Sequence, residues 1–66
     1  MAILKVIEIM ANSPKSWEAA TSNAVKQAGK TIKNIKSAYV QEMSTKVKNG
    51  AVVEYRVNVK ITFEVR

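Results

Sequence analysis

The last fourteen residues of the chain alternate between apolar and polar side chains without a break. A period of two predicts a β-strand with one apolar face. At about 3.3 Å per residue this strand would reach about 45 Å, whereas strands of globular domains usually span about 17–20 Å. We therefore expect it to extend beyond its own domain and to be covered by neighbouring subunits. Its apolar residues are Val53, Tyr55, Val57, Val59, Ile61, Phe63 and Val65.

The N-terminal half contains one apolar run followed by one amphipathic segment. Residues 2–10 are almost wholly apolar, which predicts a strand that is covered on both faces. Ser13 and Pro14 then offer an N-cap and a first helical residue, so we predict a helix from about Pro14 to Thr31. Gly29 and the polar residues after it favour an end within that stretch. The expected inward face of the helix consists of Trp17, Ala20, Thr21, Ala24, Val25 and Ala28.

A second long strand is predicted from about Ile35 to Lys48, and its imperfect alternation indicates a bulge. Asn49-Gly50 follows, and this dipeptide between two strand patterns is a strong hairpin signal. The predicted fold is therefore α+β, in the order β-α-β-β, with one helix packed on a three-stranded antiparallel sheet. We expect residues 1–66 to form a single domain.

The size of the chain makes self-association the expected source of stability. A domain of 66 residues buries only about 60% of the surface that its unfolded chain exposes. The sequence has no cysteine for disulfides and no histidine for the usual zinc sites. Lys5 and Glu8 interrupt the first apolar run before a secretory core or a membrane span could form. We expect a protein of the cytoplasm without a membrane partner.

The positive charge raises the question of a nucleic-acid partner. Eleven Lys and Arg against five Glu give a net charge of +6. Lys26, Lys30, Lys33 and Lys36 cluster around the predicted end of the helix, where cations complement the helix dipole. No aromatic residue alternates with them to stack bases, so we favour the dipole interpretation over nucleic-acid binding. A basic oligomer that binds nucleic acid or an acidic partner is the alternative.

The side chains available for chemistry are few. There is no His, Cys or Asp, the five glutamates are widely spaced, and the two glycines form no phosphate-binding loop. The sequence therefore predicts that the protein is not an enzyme. Symmetry in an oligomer could still gather glutamates into a calcium or magnesium site, although no particular set is singled out. We expect Trp17 to fill the helix–sheet junction and Tyr39 to make a subunit contact.

Taken together, the pattern resembles the dodecins, which are small proteins of β-α-β-β order that assemble into hollow homododecamers. The resemblance covers nearly the full chain and rests on residues 5–9, 13–20, 24–28 and 54–63. It implies a strongly bent antiparallel sheet with the helix on its concave side. It also explains why one strand would be longer than its own domain requires.

The resemblance also implies a ligand site, and this sequence departs from the family pattern there. Familiar dodecins stack flavins on a tryptophan early in the second strand and fix them with a glutamine in the third. The matching positions here are Ser37 and Arg56. We therefore predict a dodecin-like homododecamer that binds, stores or buffers a small ligand in an altered flavin pocket. The alternatives are FMN or riboflavin bound by other contacts, and a calcium-binding shell like that of some family members.

Overall fold

The computed structural model describes residues 2–65, which form one helix and three strands in the order β-α-β-β. Both strand pairs are antiparallel and the spatial order is β1-β3-β2, so the long C-terminal strand lies in the centre of the sheet. The predicted α+β class and the hairpin between the last two strands are confirmed. The elements are β1, Ile3–Ser13; α1, Trp17–Ala28; β2, Ile35–Lys48; and β3, Ala51–Val65.

The helix begins later than the sequence predicted, because Ser16 and not Ser13 is its N-cap. The Ser16 hydroxyl accepts a hydrogen bond from the backbone N–H of Ala19 at 3.0 Å. Ser13 is buried at the end of β1, and its hydroxyl accepts the backbone N–H of Lys15 at 3.1 Å. The first serine therefore closes the bend after β1, and the second satisfies an otherwise unpaired donor of the first helical turn.

The end of the helix lies at Ala28, three residues before the predicted limit of Thr31. The Ala28 carbonyl accepts the backbone N–H groups of Thr31 and Ile32 at 3.2 and 2.9 Å, which tightens the chain into a turn. Asn34 then adopts a positive φ of 64°, a conformation that asparagine tolerates well. These bonds redirect the backbone from the helix into β2.

The core lies between α1 and the central strand. Ala20 and Ala24 of the helix pack against Val57, Val59 and Ile61 of β3, and all five are at most 3% exposed. Because alanine side chains are small, the helix can approach the sheet closely. The predicted inward face is confirmed, with Trp17 and Val25 half-buried at its margins. Half-buried residues of the strands complete the cluster: Ile7, Ile9, Ala11, Ile35 and Val40.

The predicted irregularity of β2 is present as three register shifts against β3. They fall between Ile35 and Ser37, between Val40 and Glu42, and between Lys46 and Val47. At the far end, Asn49 and Gly50 both have positive φ, 53° and 75°, as a tight hairpin turn requires. The shifts change which side chains face the helix along this edge strand.

A single chain is more extended than a compact domain of its length. It measures 51 × 19 × 13 Å and has a radius of gyration of 13.5 Å, whereas a compact domain of this length would have about 10.8 Å. Its accessible surface is 4889 Å², compared with about 4,200 Å² for a typical monomer of 7.3 kDa. The helix covers only one face of β1, so the predicted burial of both faces is not achieved within one chain. Within residues 2–65 no helix has the length and apolar character needed to cross a membrane.

Candidate ligand-binding face

The face of the sheet opposite the helix, here called the open face, is polar along its central strand. Alternate residues of β3 point to it because side chains of a strand alternate between faces. All of them are half-buried although they are polar or charged. Strand β1 supplies exposed apolar residues at one edge of this face, namely Leu4, Val6 and Met10. The central polar residues are Glu54, Arg56, Asn58, Lys60, Thr62 and Glu64.

Arg56 is held in place on the open face by a neighbour on β1. It lies between Asn12 of β1 and Ser44 of β2 in the strand register. Its Nε–H donates a hydrogen bond to Oδ1 of Asn12 at 3.0 Å. That bond uses one of the five N–H donors of a guanidinium, and no other side chain within residues 2–65 pairs with Arg56. The remaining donors can bind the two oxygens of a carboxylate or phosphate.

Ser37 also lies on the open face, but far from Arg56 in the same chain. It pairs with Thr62 across β2 and β3, whereas Arg56 lies six residues away from Thr62 along β3. Six residues of a strand span about 20 Å. The structure therefore places both sequence-predicted site residues on one face without bringing them together in one chain. A ligand that contacts both would require residues from more than one subunit.

Tyr39 supplies the one aromatic ring on the part of the open face that the structure describes. It pairs with Lys60 of β3, and Lys60 pairs with Glu8 of β1 on its other side. The Tyr39 side chain is 66% exposed in the single chain. The predicted subunit contact of this ring stays a prediction.

The carboxylates of the open face are spread out. Glu54 forms an ion pair with Lys46 at 4.0 Å, and Glu64 forms one with Lys36 at 3.6 Å. Glu8 and Glu42 belong to different strands and have no ion pair with another residue of the described range. Residues 2–65 contain no group of three or more acidic, His or Cys side chains that could hold a metal ion. A calcium site would therefore need carboxylates from several copies of the chain.

Trp17 lies on the helix side, where it joins α1 to the β2–β3 hairpin. Its ring meets Tyr55 edge-on, with ring centroids 5.0 Å apart and planes inclined by 75°. Its Nε1–H donates to the carbonyl oxygen of Ser44 at 3.1 Å. The predicted role at the helix–sheet junction is confirmed. A cleft of about 600 Å³ opens beside it, between the helix and Val40 and Met43 of β2.

The sequence did not reveal Asn12 as the partner of Arg56. The two residues are 44 positions apart, and nothing in the local pattern around Asn12 marks it as more than a loop residue before the helix. Only the register of β1 against β3 brings them together. An asparagine at the end of a predicted strand is a weak signal unless that register is known.

Together, the β-α-β-β order, the central β3 and the single helix on one side of the sheet define a class of small α+β proteins. The dodecin family model matches residues 3–66, and the chain belongs to the dodecin family. The resemblance inferred from the sequence is thereby confirmed. The altered ligand pocket at Ser37 and Arg56 stays a prediction.

Individual relatives support the assignment along the full chain. The calcium dodecin of Mycobacterium tuberculosis is 35% identical over 66 residues, which cover 100% of this chain and 93% of the relative. A crystal structure of that protein, described as calcium-chelating with a novel calcium-binding site, matches with a TM-score of 0.85 over 97% of this chain and 91% of its own. The Streptomyces coelicolor dodecin matches with a TM-score of 0.94 at 25% identity, covering 98% and 93% of the two chains. A mutant of the Thermus thermophilus dodecin matches with a TM-score of 0.94 at 26% identity, and the match covers 100% of this chain and 98% of the mutant chain.

Proposed function

We propose that this chain is the subunit of a homododecameric shell that binds and stores a small ligand on its open face. The observation that carries the proposal is the incomplete burial of the single chain. Its surface exceeds that of a typical monomer, and large apolar residues of β1 are more than half exposed. Burial of such residues between copies supplies the stability that a 66-residue chain lacks. The absence of cysteine is in keeping with a cytoplasmic location.

A binding role is favoured over catalysis because the proton-transfer groups are so few. The sequence has no His, Cys or Asp. On the open face, Glu54 and Glu64 are engaged in ion pairs with lysines. The five glutamates are widely spaced along the chain, so no two adjacent residues form an acid–base pair for proton transfer.

The residues at the family's flavin positions do not fit a flavin in the usual way. Ser37 has no ring, and stacking of a base on an aromatic side chain is worth about 1–3 kcal/mol. Arg56 replaces an amide that can both donate and accept with a group that only donates. We infer that the site has changed towards a ligand with an anionic group, which Arg56, oriented by Asn12, would bind through two parallel hydrogen bonds.

Calcium binding is the second candidate function. The specific observation in its favour is the 35% identity to a relative named calcium dodecin. Glu8 and Glu42 are the open-face carboxylates without an ion pair in the described range, so they are the candidates. Calcium takes six to eight oxygen ligands, which one chain does not gather here. The site would lie where copies meet around a symmetry axis.

Native mass spectrometry of the assembly purified from its own cell tests the proposal. We expect a particle of about 88 kDa, twelve times the 7.3 kDa subunit, with a bound anionic small molecule. Arg56→Gln should keep the particle size and lower the ligand occupancy, whereas Lys48→Gln, with the same change in charge, should keep both. A stable 7.3 kDa monomer would contradict the shell.

Titration of the purified particle with riboflavin, FMN and Ca²⁺ then distinguishes the ligand classes. Quenching of flavin fluorescence at micromolar ligand would favour flavin bound by other contacts.

A further inference from the structure

A second cavity, here called the loop cavity, lies at the end of the sheet next to the loop after α1, and Glu64 is the open-face residue in its wall. It has a volume of about 440 Å³ and lies between the loop after α1 and the adjoining ends of β1 and β3. Its wall includes Thr31 and Lys33 of the loop, Lys5 of β1 and Phe63 of β3. None of these residues belongs to the ligand site considered so far.

Backbone hydrogen bonds hold the loop cavity in shape. The turn after the helix is closed by the bonds from Thr31 and Ile32 to the Ala28 carbonyl. Where the loop enters β2, the Asn34 carbonyl accepts the backbone N–H of Glu64 at 3.0 Å. Because both ends of the loop are bonded, a ligand would meet a largely preformed site and lose less free energy in ordering it.

The charge of the loop cavity is positive and unbalanced. Lys5 and Lys33 have no ion-pair partner within residues 2–65. The one acidic residue of the wall, Glu64, has its carboxylate in the ion pair with Lys36. The helix C-terminus would disfavour an anion, but the Ala28 carbonyl there already accepts two N–H groups. Two ammonium groups are thus left to attract a negative ligand.

The floor of the loop cavity is apolar. Phe63 is half-buried and lies directly opposite Lys5 in the β1–β3 register, on the same face of the sheet. Ile32, also half-buried, adds apolar surface from the loop. A ring or short hydrocarbon placed on Phe63 would therefore be close to the cationic side chains. The cavity suits a molecule with an anionic group and a small apolar body.

We propose that the loop cavity binds a small phosphate monoester, with the phosphate between Lys5 and Lys33 and the apolar body on Phe63. A phosphate monoester carries about −1.5 to −2 charge at pH 7, which matches two ammonium groups better than the single charge of a carboxylate. The Thr31 hydroxyl on the same wall can donate a further hydrogen bond to a phosphate oxygen. This site uses neither Ser37 nor Arg56 and does not depend on the proposed storage function.

Isothermal titration of the intact protein with phenyl phosphate tests this site. We expect phenyl phosphate to bind more tightly than inorganic phosphate or benzoate, and phenol to give no measurable binding. The double variant Lys5→Gln/Lys33→Gln should lower the affinity for phenyl phosphate about tenfold or more, since both charge-assisted contacts to the phosphate are lost. The control Lys15→Gln/Lys48→Gln removes the same charge from exposed positions outside the cavity and should keep the affinity within about twofold.

Three results would overturn the proposal: no heat of binding at millimolar phenyl phosphate, equal losses in the two double variants, or benzoate binding as tightly as phenyl phosphate. Phe63→Leu gives a further check, because it should remove the preference for phenyl phosphate over inorganic phosphate. Particle size is measured in parallel for every variant. A monomeric wild type that still binds phenyl phosphate would contradict the shell and leave the loop cavity site standing.

Discussion

At the scale of single residues, two serines are candidates for the N-cap of α1, and their hydrogen bonds show which of them is the cap. Ser13 is paired with Tyr55 in the sheet, and its hydroxyl is used by the backbone N–H of Lys15. Ser16 has an extended backbone, with φ −172° and ψ 167°, which is the conformation of an N-cap. Its hydroxyl is therefore free to bond the first helical turn, and Glu18 in that turn complements the helix dipole.

Replacing Ser16 with alanine should lower the free energy of unfolding by about 1 kcal/mol, because one N–H of the first turn loses its acceptor. Ser16→Asp keeps an acceptor at the same place and should stay close to the wild type. Urea unfolding at fixed protein concentration, followed by circular dichroism, measures the difference. Ser22→Ala is the matched control, since Ser22 is an exposed helical residue and its change should fall within about 0.5 kcal/mol. Equal destabilisation by Ser16→Ala and Ser22→Ala would show that Ser16 is not the cap.

The contacts of a residue could be predicted from the sequence only where its partners are near in the chain. The helical period was sufficient to place Trp17 at the helix–sheet junction. Its bond to the Ser44 carbonyl could not be predicted, because Ser44 is 27 positions away and its place follows from the bulges of β2. The bond between Arg56 and Asn12 was out of reach for the same reason. Local periodicity predicts which face a residue occupies, and strand register decides which residues meet there.

At the scale of elements, the β2–β3 hairpin is the feature that the sequence specified most completely. Asn49-Gly50 predicted the turn, and both residues adopt the positive φ that it requires. Helix α1 lies over β1 and β3 and makes little contact with β2, which leaves the cleft beside Val40 and Met43. The hairpin is therefore held together by its turn and by the pairing of β2 with β3 more than by packing against the helix.

Gly50→Ala should destabilise the hairpin through the backbone alone. The residue has φ 75°, and a Cβ added there meets no heavy atom within 4 Å, so steric crowding by neighbours plays no part. The left-handed conformation costs a non-glycine residue about 1–2 kcal/mol, and we expect a loss of that size in the free energy of unfolding. Asn49→Gly is the control: its φ of 53° suits glycine, so its effect should be only a few tenths of a kcal/mol. Chemical denaturation of both variants makes the comparison, and an unchanged Gly50→Ala would mean that the turn relaxes without cost.

At the scale of the whole molecule, the charges are divided between the two sides of the sheet. Four of the five glutamates lie on the open face, where they meet Arg56 and three lysines. The helix and the loops on either side of it carry Glu18 against four lysines, Lys15, Lys26, Lys30 and Lys33. Most of the excess positive charge is thus on the helix side. The fold was predictable from periodicity, but this division was not, because it depends on the register that assigns each strand residue to a face.

The apolar edge of the open face gives the most direct test of assembly. Val6 is 57% exposed and is flanked on the same face of β1 by Leu4 and by Met10 beyond Glu8. If a neighbouring copy covers this edge, Val6→Glu buries a carboxylate against apolar side chains, which costs several kcal/mol unless the charge is paired. We expect the particle to dissociate to smaller species in size exclusion with light scattering. Retained helix and strand signals in circular dichroism would show that the subunit still folds.

Lys15→Gln is the control for the assembly test, because it changes the net charge by the same single unit at an exposed residue away from the open face. It should elute with the wild type. A Val6→Glu protein that keeps the wild-type particle size would show that this edge stays in solvent, and the contact between copies would then have to use another apolar surface. The cleft between α1 and β2 would be that surface, since Met43 there is 59% exposed and β2 is the other edge of the sheet. Met43→Glu in the same assay therefore separates association through β1 from association through β2.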